Sequence, residues 1–132
     1  MKKRTLIVII VIAIVIIGGG IGLYKVIASM DQNLNKLTQM KIEDVDLSKI
    51  SDGIYIGSYE LLPVSAEVAV TIKAHKIDKI DLIKHNNGKG AAAEVIPDEV
   101  VKTGSLQVDA VSGATYSSRV ILIAIKNALT SK

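Results

Sequence analysis

The feature that most constrains this 132-residue chain is an uncharged run of twenty residues close to its N-terminus. The run extends from Thr5 to Tyr24, and at ~1.5 Å per residue a helix of this length spans roughly 30 Å, the thickness of a bilayer's hydrocarbon core. Three basic residues precede the run at positions 2–4, and only Lys25 follows it closely. The positive-inside rule therefore predicts that residues 1–28 form a cytoplasmic basic tip and a transmembrane anchor, with the rest of the chain extracytoplasmic.

Two other interpretations of this segment compete with a plain anchor. A cleaved signal peptide would use Val26 and Ala28 as the small residues before the cut, but the apolar run is longer than the ~7–15 residues usual in signal peptides. Gly18 and Gly22 form a GxxxG pair that allows two helices to pack closely. Glycine is common in membrane helices anyway, so an uncleaved anchor without a special pairing face is favoured.

The distribution of charge argues against nucleic acid as a partner. Residues 1–28 carry four basic side chains and no acidic ones, whereas residues 29–132 carry the other 12 basic and all 13 acidic side chains. The net charges are therefore +4 and −1, and the basic excess belongs to the anchor segment. No basic patch remains on the outer part for a nucleic acid to bind.

Several classes of site are excluded by composition and motif. The chain has no cysteine, which excludes disulfides, thiolate metal sites, covalent haem attachment and a lipid-modified N-terminal cysteine. It also contains no Walker A loop, no HExxH or GxSxG motif and no EF-hand loop. The sequence therefore predicts neither a metal site nor a set of catalytic residues.

Residues 29–51 are predicted to form a stalk between the anchor and a domain at residues 52–132. Apolar residues three and four apart indicate a short helix that leaves the membrane: Met30, Leu34, Leu37 and Met40. Asp44 and Asp46 interrupt this pattern, and the Ser-Asp-Gly sequence at residues 51–53 indicates a turn.

The domain is predicted to be α+β, a small antiparallel sheet packed by helices. Alternating apolar residues predict strands at 54–59, 67–74 and 77–85, and Leu106 with Val108 suggests a further short strand. His75 is expected to be an exposed residue of the tight hairpin turn. Helices are predicted at 91–96, from Pro97 to about Gly104, and from Val120 to Leu129, where an apolar face covers the sheet.

A hydroxyl-rich segment between the last predicted strand and the last helix is the candidate functional site. Its sequence, DAVSGATYSS at residues 109–118, holds five hydroxyl groups, one carboxylate and one glycine. One interpretation makes Ser117 or Ser118 a simple helix N-cap. The other combines free amides, hydroxyls and the positive end of the helix dipole into an anion site, with phosphate as the natural ligand.

This segment resembles the flavinylation motif of the FMN-binding domain family. That family includes the FMN-carrying subunits of the sodium-pumping NADH:quinone reductase and of the ferredoxin:NAD oxidoreductase complex. Its pattern of Asp, two variable residues, Ser or Thr, Gly, Ala and Thr is filled by Asp109, Ser112, Gly113, Ala114 and Thr115. The DGIYIG sequence at residues 52–57, the following hairpin and the AAAEVIP segment are also similar, so the resemblance covers about residues 52–129.

The resemblance implies a covalent cofactor. The hydroxyl of Thr115 would be esterified to the phosphate of FMN by a separate magnesium-dependent flavin transferase, which uses FAD as donor and releases AMP. Gly113 and Ala114 would allow a tight turn and close approach of the flavin or the transferase. Asp109 would orient the loop and contribute to recognition by the transferase. The amides of Ser117 and Ser118 would point at the phosphodiester charge.

The loop before the middle helices departs from the family pattern. It reads HNNGKGAAAE from His85 to Glu94 and lacks the threonine-proline-glycine run of the larger respiratory subunits. The hairpin turn likewise reads Ala-His-Lys at residues 74–76 where family members often have Asp-Gly-Lys. Because the chain lacks Phe and Trp, only tyrosines are available to stack on a flavin, with Tyr116 beside the attachment site and Tyr55 on the first strand. His85 is a candidate hydrogen-bond partner of the flavin.

The sequence therefore predicts a membrane-anchored flavoprotein that carries electrons and is not a complete enzyme. Its expected donor is a membrane dehydrogenase or a quinol-linked complex, and its expected acceptor is a terminal reductase, another flavoprotein or an external oxidant. Two alternatives remain open. One is a domain that holds FMN noncovalently, and the other is a flavin-free, membrane-anchored interaction module.

Overall fold

The computed structural model describes residues 3–88 and 90–131. The chain divides into two compact units, one up to Asn33 and one from Leu34 onward. The first unit contains most of helix α1, which extends from Lys3 to Gln39. Its most apolar 18-residue window has a mean hydropathy of 3.1 and is wholly exposed, so in length and composition α1 fits a membrane span or a signal sequence.

The second unit is built on a three-stranded antiparallel sheet in the order β1-β2-β3. The strands are β1 (Gly53–Leu61), β2 (Val64–Lys73) and β3 (Lys76–Asn86). Along β2 every second side chain is buried, namely Val64, Ala66, Val68, Val70 and Ile72. This alternation places one face of the sheet against the core, as the period of two in the sequence predicts.

The β2–β3 hairpin turns at Ala74 and His75, whose φ angles are +48° and +59°. Two successive left-handed residues are the geometry of the two-residue turn that matches the twist of paired strands. His75 is exposed as expected, and its Nδ1 lies 3.2 Å and 3.0 Å from the carbonyl oxygens of Leu47 and Ile50. The strand predicted at residues 67–74 extends one residue too far, because β2 ends at Lys73 and Ala74 belongs to the turn.

Helix α3 (Thr115–Thr130) covers the inner face of the sheet and supplies most of the helical core. The 3₁₀ helix Ala91–Val95 runs directly into α2 (Ile96–Thr103), which begins with Pro97 in its first turn. It ends at Gly104, whose φ of +68° is the left-handed geometry usual after a helix C-terminus. The α+β architecture and the closing C-terminal helix are confirmed.

The predicted short strand at Leu106 and Val108 is wrong, since the described structure has no strand between α2 and α3. The amide of Leu106 donates to the carboxylate of Asp44, 2.6 Å from Oδ1, and the side-chain amide of Gln107 donates to the carbonyl of Ile42. Hydrogen-bond acceptors on Ile42 and Asp44 therefore bind the segment that would otherwise pair with a neighbouring strand. The motif at residues 109–118 consequently follows a loop and not a strand.

Residues 34–51 pack on the domain in this structure. The helix predicted from residue 30 to residue 40 is the last part of α1, in which Leu37 is fully buried, and Ile42 is also buried. Farther along, Asp46 caps the 3₁₀ helix Leu47–Lys49. Hydrogen bonds from Ser48 and then from Lys49 hold the pKa of Asp46 below its usual value. These contacts fix the chain that leads from α1 to the sheet.

Candidate functional site at the start of helix α3

The loop before α3 turns sharply at Gly113, where φ is +78°. The amide of Ala114 donates to the carbonyl of Val111 at 2.9 Å, which closes the turn. A Cβ placed on Gly113 would meet nothing within 4 Å, so the glycine is required by its backbone angle and open space lies beside it. The loop can therefore accept a bulky group or an approaching enzyme at this point.

Thr115 is the first residue of α3, and its side chain is exposed. Ala114 occupies the N-cap position and has no side-chain hydroxyl, so no side chain caps the helix. The first three amides, from Thr115 to Ser117, precede the first α-helical hydrogen bond and lie at the positive end of the helix dipole. An exposed hydroxyl at this end of a helix suits attachment of a phosphate group.

Ser117 and Ser118 are not N-caps, because both lie inside the first turn of α3 and are buried. The amide of Ser118 donates to the carbonyl of Ala114 at 2.9 Å, which also overturns the expectation that it points at a bound anion. Its hydroxyl donates to the same carbonyl at 2.8 Å and accepts from the amide of Val111 at 3.0 Å. Ser118 thus fastens the loop to the helix.

Tyr116 joins the start of α3 to the end of β1. Its ring is half-buried, and its hydroxyl lies 3.0 Å from the carbonyl oxygens of both Leu61 and Leu62, to which it donates. The hydroxyl of Tyr55 likewise donates to the carbonyl of Ser51 at 2.9 Å. Both tyrosine hydroxyls are engaged by the protein backbone, and stacking of the two rings on a flavin stays a prediction.

Asp109 and Ser112 are exposed residues on the approach to the turn. Asp109 lines a cavity of about 520 Å³ that is also lined by residues 38–42. Arg119 lies one helical turn after Thr115 and lines the same cavity. Its guanidinium donates to two carbonyls at the end of α1, those of Leu37, 2.5 Å from Nε, and Met40.

The role of Arg119 could not be predicted from the sequence. Nothing in the local pattern distinguishes a basic residue on α3 from an ordinary exposed one, because its partners lie about eighty positions earlier in the chain. Its only signal was a position four residues after Thr115, which places both side chains on one face of the helix.

The loop between β3 and α2 packs directly against the first turn of α3. A Cβ on Gly90 would lie 2.6 Å from the Cβ of Ser117, so only glycine allows this contact. Within the loop, the carboxylate of Glu94 lies 3.1 Å from Nδ1 of His85 and accepts from the side-chain amide of Asn87 at 3.3 Å. The loop that departs from the family pattern is therefore organised around Glu94.

Taken together, the residues at the start of α3 fit a phosphate-linked cofactor. The hydroxyl of Thr115, the open space beside Gly113 and the first-turn amides lie on consecutive residues of one turn and helix start. Within residues 3–88 and 90–131, no group of three or more His, Cys, Asp or Glu residues is arranged to hold a metal ion.

Comparison with protein families gives one match, and it covers this site. The family model described as FMN-binding domain matches residues 63–130, about half of the chain. The matched region includes β2, β3, α2, the motif at residues 109–118 and all of α3, whereas β1 lies outside it. Neither the curated proteins nor the solved structures give a match.

Proposed function

This chain belongs to the FMN-binding domain family, and on that premise we propose that it carries FMN covalently on Thr115 and passes electrons outside the cytoplasm. The observation that carries the proposal is the exposed hydroxyl of Thr115 at the first position of α3, directly after the left-handed turn at Gly113. The N-terminal apolar helix of the chain supports a membrane-anchored form of such a protein.

The attachment transfers the FMN part of FAD to the side chain of Thr115. The Oγ of Thr115 forms a bond to the FMN phosphorus of FAD, the pyrophosphate bond of FAD breaks, AMP leaves, and the hydroxyl proton is released. The resulting phosphodiester keeps one negative charge, which the first-turn amides and the helix dipole of α3 stabilise. A separate magnesium-dependent flavin transferase is the proposed catalyst, with the exposed residues Asp109 and Ser112 available for its recognition.

When bound, FMN supplies the redox chemistry, and the protein holds and orients it. The protein would act as a carrier between redox partners. We propose a membrane dehydrogenase or quinol-linked complex as the electron donor. A downstream reductase, another flavoprotein or an external oxidant would be the acceptor. A covalent link suits a protein outside the cytoplasm, where a released flavin would be lost.

The proposal is tested by intact-mass spectrometry of the full chain co-expressed with a flavin transferase. Wild type is expected to gain the mass of one FMN less one water, and Thr115→Val, which keeps the shape but lacks the hydroxyl, is expected to gain nothing. Thr115→Ser keeps a hydroxyl and should retain the modification. The matched control is Thr130→Val, which removes the exposed threonine hydroxyl at the other end of the same helix.

Each other outcome of this experiment has a definite meaning. Yellow wild-type protein that loses its flavin on denaturation in acid or SDS would point to noncovalent FMN and contradict the attachment at Thr115. Modification of Thr115→Val would place the linkage on another residue. Wild type without any flavin, even after incubation with transferase, FAD and magnesium, would favour an anchored interaction module.

A further inference from the structure

The imidazole of His85 is buried at the end of β3 with one nitrogen satisfied and one not. Its side chain is only 3% exposed, and Nδ1 lies 3.1 Å from Oε1 of Glu94. The other nitrogen, Nε2, is buried and has no hydrogen-bond partner among residues 3–88 and 90–131. It is the only buried side-chain nitrogen or oxygen in that part of the chain without a partner.

An unpartnered buried nitrogen is costly and therefore informative. Leaving such a group without a hydrogen bond sacrifices its solvation with nothing in return, so native proteins rarely tolerate it without a reason. The contact with Glu94 does not require Nε2, because Nδ1 alone makes it. If the ring served only to bind Glu94, the missing partner of Nε2 would have no explanation. A bound ligand that donates a hydrogen bond to Nε2 would supply that partner.

His85 begins the segment that leads from β3 to the start of α3. It pairs with Ala66 in the sheet, and Ala66 is on the face covered by α3. The loop that follows His85 reaches the first turn of α3, where Gly90 is in contact with Ser117, two residues after Thr115. The unpartnered nitrogen and the exposed hydroxyl of Thr115 thus belong to segments that pack together.

We propose that Nε2 of His85 is a hydrogen-bonding contact for the flavin ring, with Glu94 as the residue that sets its tautomer. This inference rests on the proposed function. Glu94 accepts the proton of Nδ1, so Nε2 of the neutral ring presents a lone pair and accepts from an N–H of the flavin.

The test uses the fact that glutamine and asparagine replace different nitrogens of histidine. The side-chain amide of His85→Gln reaches the position of Nε2, whereas that of His85→Asn reaches the position of Nδ1 and retains only the contact with Glu94. His75→Gln is the matched control, because His75 is exposed in the hairpin turn. Each full-length variant is prepared in detergent with and without the flavin transferase, and intact mass gives the FMN loading.

The readout is hydrogen–deuterium exchange of amides 86–94 in the loaded and unloaded forms of each variant. In wild type, His85→Gln and His75→Gln, loading is expected to slow exchange roughly fivefold, the effect of one net hydrogen bond. In His85→Asn, loading is expected to leave exchange unchanged. Exchange in the unloaded forms reports separately whether a variant has disturbed the loop itself.

The outcomes separate this inference from the proposed function. Loaded wild type without added protection of residues 86–94 would overturn the inference and leave the FMN linkage intact. Protection retained in His85→Asn and lost in His85→Gln would show that the ring serves only Glu94, which also overturns it. Wild type that takes no FMN would overturn both proposals.

Discussion

Gly57 of β1 is the residue where the sheet comes closest to α3. A Cβ at this position would lie 2.7 Å from the Cα of Ala128, well inside van der Waals contact, and the obstacle is helix backbone that cannot rotate away. We expect Gly57→Ala to destabilise the domain by at least about 2 kcal/mol, because the strand and helix must separate. Thermal unfolding of the full chain in detergent, followed by the near-ultraviolet circular dichroism of its tyrosines, measures the change.

Gly53 in the same strand is the control. The nearest atom to its added Cβ lies 3.7 Å away on the ring of Tyr55, an ordinary contact distance. Gly53→Ala should therefore leave the unfolding midpoint unchanged or slightly raise it, since alanine costs less conformational entropy than glycine in a strand. Equal midpoints for the two variants would contradict the close packing of β1 on α3.

At the scale of elements, the last turn of α1 is held by α3 through Arg119. Its guanidinium donates to the carbonyl of Leu37, one of the last carbonyls of α1, which have no partner within the helix, and to that of Met40, directly after the helix. Arg119→Met keeps the aliphatic stem but loses both bonds. Because hydrogen bonds to charged groups are worth about 1.5–3 kcal/mol, we expect trypsin to cut after the exposed Lys41 about tenfold faster or more.

Lys102→Met is the matched control for this experiment. It removes one positive charge from an exposed position of α2, and the hydrogen bonds to Leu37 and Met40 remain. The initial rate of cleavage after Lys41 should then stay at the wild-type value. An unchanged rate in Arg119→Met would mean that Arg119 does not hold the end of α1.

The elements that the sequence predicted correctly are those whose pattern is local. Alternation along β2 and the apolar face of α3 both follow from one-dimensional periodicity, and Gly104 marked the end of α2. The strand expected at Leu106 did not form, because its amide binds Asp44, 62 positions away. Such pairings depend on tertiary packing and leave no periodic signal.

The same distinction applies to the candidate site. The motif predicted the tight turn at Gly113, which depends on neighbouring residues, and the φ of +78° there confirms it. It gave the wrong role to Ser118, which fastens the loop to α3, because the start of a helix can shift by a few residues without changing its pattern. The contact between His85 and Glu94 required the folded loop.

For the molecule as a whole, function depends on which side of a membrane the domain occupies. The basic tip predicts a cytoplasmic N-terminus. Because the chain has no cysteine, a single introduced thiol can be labelled selectively to test this prediction. Lys3→Cys and Asp98→Cys each give the chain a single thiol at an exposed position, one before the apolar run and one on α2. A membrane-impermeant maleimide then reports on each side of the membrane separately.

In spheroplasts, the reagent should label Asp98→Cys at once and Lys3→Cys only after lysis. Labelling of Asp98→Cys only after lysis would place the domain in the cytoplasm and remove the reason for a covalent flavin. Failure to label the mature Lys3→Cys chain even after lysis would mean that the N-terminal segment has been cleaved. In that case the protein would act as a released carrier, and its donor would no longer have to lie beside the anchor.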